Sequence, residues 1–305
     1  MPDLSVIICA HNPRPDYLRS VLGALKTQTL PKEQWELLLI DNASKEPLAD
    51  KWDLSWQPNA RHICEDELGL TPARLCGIKE SKGELLVFVD DDNALSETYL
   101  DRALKIAADF PQLGSFGAGK ITPDFEANPD PEVAPFIGFL ALRDEKEPSW
   151  ANHQRYNSAT PWGAGLCILH SVALLYSEAV SVDGLRRSLG RAGQGLLSGE
   201  DVDMALFACK SGRGTGVFPQ LSLTHLIPLR RLKRQYVASV AEGHAASQAI
   251  LAYLWGYQAD RRENPLAAWL RHLRHSASLK GMARDVYLAE RRGRLKARHW
   301  LASLK

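Results

Sequence analysis

Three adjacent carboxylates, Asp90-Asp91-Asp92, followed by Asn93, form the densest chemical feature of this sequence. Like charges side by side repel, so stability alone gives no reason for the run. A hard divalent cation would neutralise it, and oxygen ligands suit magnesium or manganese. Such a cation most often bridges to the phosphates of a substrate. The plain alternative is a solvated acidic turn. A second acidic pair, Glu200-Asp201, follows Ser198-Gly199 and precedes apolar Met204, Leu206 and Phe207, the pattern of a loop opening a helix. Carboxylates in a first helical turn are ordinary stabilisers of its positive end.

Three further features are chemically suggestive. Pro161-Trp-Gly-Ala-Gly165 leads into the apolar run Leu166 to Leu169. Its glycines permit close backbone approach, and Trp162 offers a flat apolar face either to a sugar ring or to the core. His225 stands alone after Leu221-Ser-Leu-Thr, where a satisfied structural histidine is the common case. Arg230, Arg231 and Lys233 follow, as a solvated basic face or as groups closing over a diphosphate.

The elements around these residues alternate in type. Leu4 to Ala10 is a near-continuous apolar run, as in a strand buried on both faces, and His11-Asn12-Pro13 ends it. Leu18, Val21, Leu22 and Leu25 recur at helical spacing. Glu36 to Ile40 is a second strand, closed by Asp41-Asn42. Thr71 to Ser81 reads as a helix, Glu84 to Val89 as a third strand, and Glu97 to Asp109 as another helix stopping before Pro111. Strand–helix alternation implies an α/β fold whose central sheet is mainly parallel. In such sheets ligands sit beyond the carboxyl ends of the strands. All three apolar strands end there in polar residues, which points to one polar site.

Composition narrows the function classes. The 305 residues are 45% hydrophobic and 24% charged, a globular balance. Net charge is +1, so nothing marks a general nucleic-acid binder. Five widely spaced cysteines without a C-x-x-C argue against a disulfide framework or a cysteine-based zinc site, and favour reduced thiols. Neither a P-loop nor a G-x-G-x-x-G fingerprint occurs. No secretory leader is expected, because Asp3 stands at the start and the apolar run from Val6 is short. No apolar stretch approaches the length of a membrane span. Charge is unevenly spread, however. Arg230 to Lys305 holds 16 Lys+Arg against 5 Asp+Glu, net +11, leaving the first 229 residues at net −10. Leu266, Trp269, Leu270 and Leu273, then Leu295, Trp300, Leu301 and Leu304, fall at helical spacing among Arg and Lys. Basic amphipathic helices suit an anionic membrane surface, or pack their apolar stripe on the main domain.

The ordered set of motifs resembles family 2 glycosyltransferases of the GT-A fold. The likeness runs from Leu4 to about Leu232. It rests on Ser5-Val-Ile-Ile-Cys-Ala-His-Asn12, Leu38-Leu-Ile-Asp-Asn-Ala-Ser44, Ala73-Arg74 with Gly77, Lys82-Gly83, and Phe88-Val-Asp-Asp-Asp-Asn93. Trp162-Gly-Ala-Gly165, Ser198-Gly-Glu-Asp201 and Thr224-His225 complete it. The resemblance implies a Rossmann-like nucleotide-sugar domain over residues 1–229, its donor half about 1–115 and its acceptor half about 116–229, with a basic helical extension over 230–305.

It also implies roles. Ala10, His11, Asn12, Asp41, Arg74, Asp90 and Asp91 would bind the donor. Asp92 and His225 would hold a manganese or magnesium ion. Trp162, Gly163 and Gly165 would face the acceptor, and Asp201 would be the base, with Glu200 orienting the acceptor. Family members commonly carry Asp at the place of Asn93 and an aromatic at the place of His11. The implied activity is inverting, metal-dependent transfer from a nucleoside diphosphate sugar, expected to be a UDP-sugar, to a hydroxyl of a glycan or lipid-linked acceptor. Cell-surface polysaccharide or lipid-linked glycan synthesis is the implied setting. The expected location is the cytoplasm, at the inner face of the plasma membrane if the basic tail meets anionic lipid. The rival readings are a sugar-nucleotide-binding homologue without catalysis, an aspartate-dependent phosphatase with Asp90 or Asp92 as nucleophile, which leaves Asp41, Arg74 and Glu200-Asp201 unexplained, and a nucleotidyltransferase. The last would want a glycine-rich loop that Ala10-His-Asn-Pro13 does not supply.

Overall fold

The computed structural model describes residues 2–191, 197–257 and 265–304. Its chain order is β1 Leu4–Ala10, α1 Pro15–Lys26, β2 Trp35–Asn42, β3 Ala60–Glu65, α2 Leu70–Glu80, β4 Leu85–Asp90, β5 Asn93–Leu95, α3 Tyr99–Asp109 and β6 Leu113–Phe125. There follow β7 Arg143–Asp144, β8 Ser149–Ala151, β9 Leu166–Leu169, α4 His170–Val182, α5 Gly184–Arg187, α6 Glu200–Lys210 and β10 Gly214–Ile227. The helices α7 Arg234–Leu254, α8 Pro265–Ser278 and α9 Gly281–Ser303 complete it. The expected early strands and helices are all present, with ends shifted by one or two residues.

One sheet has the order β3-β2-β1-β4-β9-β6-β10-β5, with β7 on β6 and β8 on β10. The first four strands are parallel, as alternation with helices requires. Beyond them the sheet is mixed: β9 runs antiparallel to both β4 and β6, whereas β6 and β10 are parallel. Alternate side chains of each central strand enter different cores. Leu4, Val6 and Ile8 join Leu37, Leu39, Leu85 and Val87 under α1 and α3. Ile7, Leu38, Ile40, Leu86 and Phe88 face the opposite core with α2, α4 and α6. Burial on both faces is why these strands read as continuous apolar runs.

Residues 230 onward do not trail away from the sheet. Val237 and Ala241 of α7 share a core with Met282, Val286 and Ala289 of α9, and with Ile227 and Leu232. Ile250 and Leu251 of α7 pack with Leu189, Val202, Leu206 and Ala297. Glu242 on α7 receives Arg292 at 2.9 Å and Lys296 at 2.5 Å from α9. α9 thus turns Met282, Val286, Ala289 and Ala297 inward and packs Trp300 against the core containing Ile250, whereas Leu295 and Leu304 of the expected stripe are exposed. On α8, by contrast, Trp269, Leu270 and Leu273 are exposed. The side chain of Leu266 lies outside the described residues. All five cysteines are free.

Candidate active site

Register brings the polar strand ends together. Ala10 pairs with Asp41 across β1 and β2, and Cys9 with Asp90 across β1 and β4. Antiparallel pairing of β5 with β10 sets His225 opposite Asn93, one residue from Asp92. A cleft of about 340 Å³ opens beyond β4, lined by Arg74, Asp90 to Asn93, Trp162 to Ala164, Glu200 to Val202, His225 and Arg231. Most of the residues singled out in the sequence therefore meet in one concavity.

The acidic run is divided among cationic partners. Asp90 meets Arg74 at 3.4 Å. Asp92 is buried, and its Oδ2 accepts from Arg231 Nη1 at 2.9 Å while its Oδ1 accepts from Asn93 at 2.9 Å. Burial works to raise the Asp92 carboxyl, yet its His225 and Arg231 neighbours hold it below the ordinary carboxylate range. For Asp91 the Arg231 charge also pulls downward but is outweighed. Burial, with the charges of Asp92 and Asp90, pushes it up to about 7.

On the same cleft, Glu200 and Asp201 open α6 with sharply different surroundings. Glu200 is 3% exposed and accepts from Arg74 Nη1 at 2.6 Å. Burial pushes its carboxyl up to about 7, despite the opposing Arg74 charge and with the help of Asp201. Arg74 is thereby a buried strut between the Asp90 strand end and the start of α6, and it also lines the cleft. Asp201 is only half-buried. Its Oδ2 accepts from the Gly163 amide at 2.7 Å and its Oδ1 from Val202 N at 2.8 Å. Two backbone donors fix its orientation while leaving it on the cleft. A Cβ at Gly163 would fall 2.6 Å from Arg74 Nη2 and 3.2 Å from Asp201 Oδ2, so a larger residue would crowd both side chains.

Other expected site residues stand apart from the cleft. Ala10, His11, Asn12 and Asp41 occupy the adjoining ends of β1 and β2 and are not among its lining. Asp41 accepts from Ser44 N at 3.2 Å and Leu48 N at 2.8 Å, shaping the loop after β2. His11 Nδ1 meets the Asn42 carbonyl at 2.7 Å, and Asn12 joins the same loop through Lys45 N at 3.0 Å. Gly165 lies beneath the cleft wall with φ +72°, its carbonyl accepting from Tyr99 OH at 2.6 Å. Trp162 does line the cleft, but Arg143 covers one ring face at 3.8 Å and its indole N–H donates to Tyr156 OH at 3.2 Å.

Several lining residues carried no sequence signal. Phe139, Tyr156, Tyr236, Val240, His244 and Gln248 all reach the cleft. Burial holds the His244 imidazole below its ordinary value, the Asp201 charge pulling the other way. The basic tail thus supplies cleft wall through α7, a placement that charge counting along the chain does not reveal.

Can this site accept the divalent ion that the resemblance implies? Among the described residues no cluster of three or more His, Cys, Asp or Glu side chains is arranged for a metal. Asp92 Oδ2 and His225 Nε2 do converge, 3.6 Å apart. Ligands at about 2.1 Å from an ion and at right angles to one another stand about 3 Å apart, so this pair needs little movement. Carboxylate with imidazole is a donor set suited to manganese. The pair fits as part of a shell whose other places belong to diphosphate and water.

The comparisons agree with this architecture. Residues 5–149 match the model of glycosyl transferase family 2. Glycosyltransferase AglE of Haloferax volcanii is 32% identical over 108 residues, 34% of this chain and 35% of that protein. Putative glycosyltransferase EpsH of Bacillus subtilis is 26% identical over 114 residues, covering 37% of this chain and 32% of that one. Each match thus spans about a third of the relative's length. Among solved structures, S. aureus TarS 1-349 in complex with UDP-GlcNAc superposes with a TM-score of 0.53 at 15% identity, covering 97% of this chain and 79% of that chain. Its complex with UDP gives 0.52 at 15% identity, with coverage of 92% and 76%. The structural likeness is one of fold, the expected GT-A fold with its helical C-terminus. Motif order, strand-end geometry and the sequence match agree in making residues 5–149 of this chain similar to glycosyl transferase family 2.

Proposed function

We propose that this protein transfers a sugar from a nucleoside diphosphate sugar to a hydroxyl acceptor with inversion at the anomeric carbon. The observation that carries this reading is that two acidic groups line one cleft: the run ending in Asp92, and the backbone-oriented Asp201. Asp201 accepts the acceptor hydroxyl's proton. The freed oxygen attacks the anomeric carbon from the side opposite the diphosphate, whose bond to the sugar breaks in the same displacement. Glu200 holds Arg74, and Arg74 holds the end of β4, so the two acidic groups keep their spacing. Asp92 and His225 would hold manganese or magnesium, which when bound neutralises charge growing on the leaving diphosphate. The rims at His11, Asn12 and Asp41 lie where the base of the nucleotide belongs in this reading.

A UDP-sugar is the expected donor, consistent with the UDP and UDP-GlcNAc complexes of the TarS fold relative. The acceptor is a glycan or lipid-linked hydroxyl that enters past Trp162 and α7. The exposed Trp269, Leu270 and Leu273 of α8, on a basic segment, support peripheral contact with anionic lipid. Among the described residues no helix is long and apolar enough to cross a membrane. The test is a panel of sugar nucleotides with manganese, read as donor hydrolysis and as transfer to candidate acceptors. Asp201→Asn is expected to keep donor binding and lose transfer by on the order of 10²–10⁴-fold. Turnover within a few-fold of the unsubstituted protein would mean that Asp201 is not the base.

A further inference from the structure

Arg231 occupies the position that a bridging cation would take. Its Nη1 lies 2.9 Å from Asp92 Oδ2 and 3.0 Å from His225 Nε2, the two atoms that converge on the cleft. A guanidinium nitrogen can only donate, so His225 Nε2 must accept. That assigns the imidazole proton to Nδ1, a buried atom with no hydrogen-bond partner. The ring is therefore held in the tautomer whose Nε2 lone pair faces the cleft, the form a metal ion requires. Arginine accordingly neutralises the carboxylate and presets the imidazole, both with one nitrogen.

The same arginine is half-used. Its Nε is buried and has no acceptor. An unpaired buried donor on a charged group is costly unless an anion arrives. The backbone beneath it is anchored: it lies in the short turn Leu229–Leu232, with Leu232 buried and Arg231 N bonded to the Pro228 carbonyl. Only the side chain is thus free to redirect, and it borders the cleft.

We infer that Arg231 is an exchangeable internal cation. It holds Asp92 and His225 ready in the free protein, gives them up when a divalent ion binds, and turns its fork to the diphosphate of the entering donor. This rests on the transfer reading above for the identity of the anion, though not for the exchange itself. A guanidinium and a metal ion cannot share the same two ligand atoms, so each must weaken the other's hold. A planar fork then has a natural second partner in phosphate oxygens.

Manganese titrated into the free protein, followed by electron paramagnetic resonance of the unbound ion, reads the exchange directly. Arg231→Gln is expected to bind manganese tighter by on the order of tenfold, because its competitor is gone. In saturating manganese, the same variant is expected to bind UDP, GDP, CDP or dTDP more weakly by on the order of tenfold, by calorimetry. Arg231→Lys, which keeps the charge, should fall between the two in both measurements. Opposite signs on metal and nucleotide cannot come from a merely loosened fold, which would weaken both. Manganese affinity unchanged or weaker in Arg231→Gln would overturn the exchange. If manganese binding tightens but no nucleoside diphosphate binds even the unsubstituted protein, the transfer reading fails, and with it the diphosphate half of the inference.

Discussion

Glu200 and Asp201 are neighbours in sequence with opposite environments, and that contrast is open to measurement. Asp201 is half-buried and held by backbone amides, while Glu200 is enclosed with Arg74. Burial lifts the Glu200 carboxyl from its ordinary 4.5 to about 7. A carboxyl whose folded pKa exceeds its unfolded value binds more protons in the folded state. Stability contributed through Glu200 is therefore lost as pH rises from about 4.5 to about 7, by up to about 1.4 kcal/mol per pH unit. Glu200→Gln should remove this slope. The measurement is urea unfolding of both proteins across that window, and parallel curves would show that Glu200 does not titrate there.

At the scale of elements, the part of the cleft lined by α7 depends on how closely α9 lets α7 approach. Gly293 in α9 is the crossing point, where a Cβ would lie 2.0 Å from the Glu242 carbonyl oxygen of α7. That atom belongs to backbone and cannot swing aside, so a methyl group must push the helices apart. Gly293→Ala is expected to destabilise the fold by about 1–3 kcal/mol, the usual range for overpacking. Since Val240, His244 and Gln248 of α7 line the cleft, the substitution should also weaken nucleotide or acceptor binding. Denaturant midpoints report the first effect and calorimetry the second. An unchanged midpoint would show that the crossing is looser than its glycine implies. Ion pairs from Glu242 to Arg292 and Lys296 are exposed at their basic ends and contribute little beside this packing.

For the whole molecule, the dominant asymmetry is charge: net +11 from Arg230 onward against net −10 before it. The structure divides that basic segment by role. α7 and α9 bury one face each, though Leu295 and Leu304 stay exposed, whereas α8 presents Trp269, Leu270 and Leu273 to solvent. Basic residues near an anionic surface gain about 1 kcal/mol each, and exposed Trp and Leu add insertion. The protein is expected to sediment with anionic vesicles at low salt, to be released at high salt, and to lose most binding as the Trp269→Ala, Leu270→Ala, Leu273→Ala triple variant. Retention of the full chain in the supernatant at low salt would assign the exposed face of α8 some other role. Neutral vesicles serve as the control, because insertion without charge attraction should be weak.

Much of this arrangement was legible in the sequence because it depends on local pattern. Period and burial are written in Leu4 to Ala10, Glu36 to Ile40 and Glu84 to Val89, and the polar residues closing those runs mark the carboxyl edge of a parallel sheet. The Asp90 run stood out by residue type and by its place after a buried strand, whereas the Glu200-Asp201 pair reads locally as an ordinary helix start and is singled out only by the family resemblance. Contacts between segments distant in the chain were not. Nothing local says that Arg74 will lie enclosed between Asp90 and Glu200, 126 positions from the latter, or that Asp41 will spend its oxygens on Ser44 and Leu48. Trp162 could be core or ligand surface until Arg143 was found over one of its faces. The basic tail read as a separate extension because its amphipathic period is satisfied equally by membrane, partner or core; packing on Ile227, Leu206 and α9 decided for α7. Arg231 was one of three cations after His225 until the pairing of β5 with β10 set His225 beside Asp92. Sequence fixes which chemical groups and which local periods are available; only the long-range register of strands and helices decides which charges meet, since a Coulomb partner is chosen by distance in space and not along the chain.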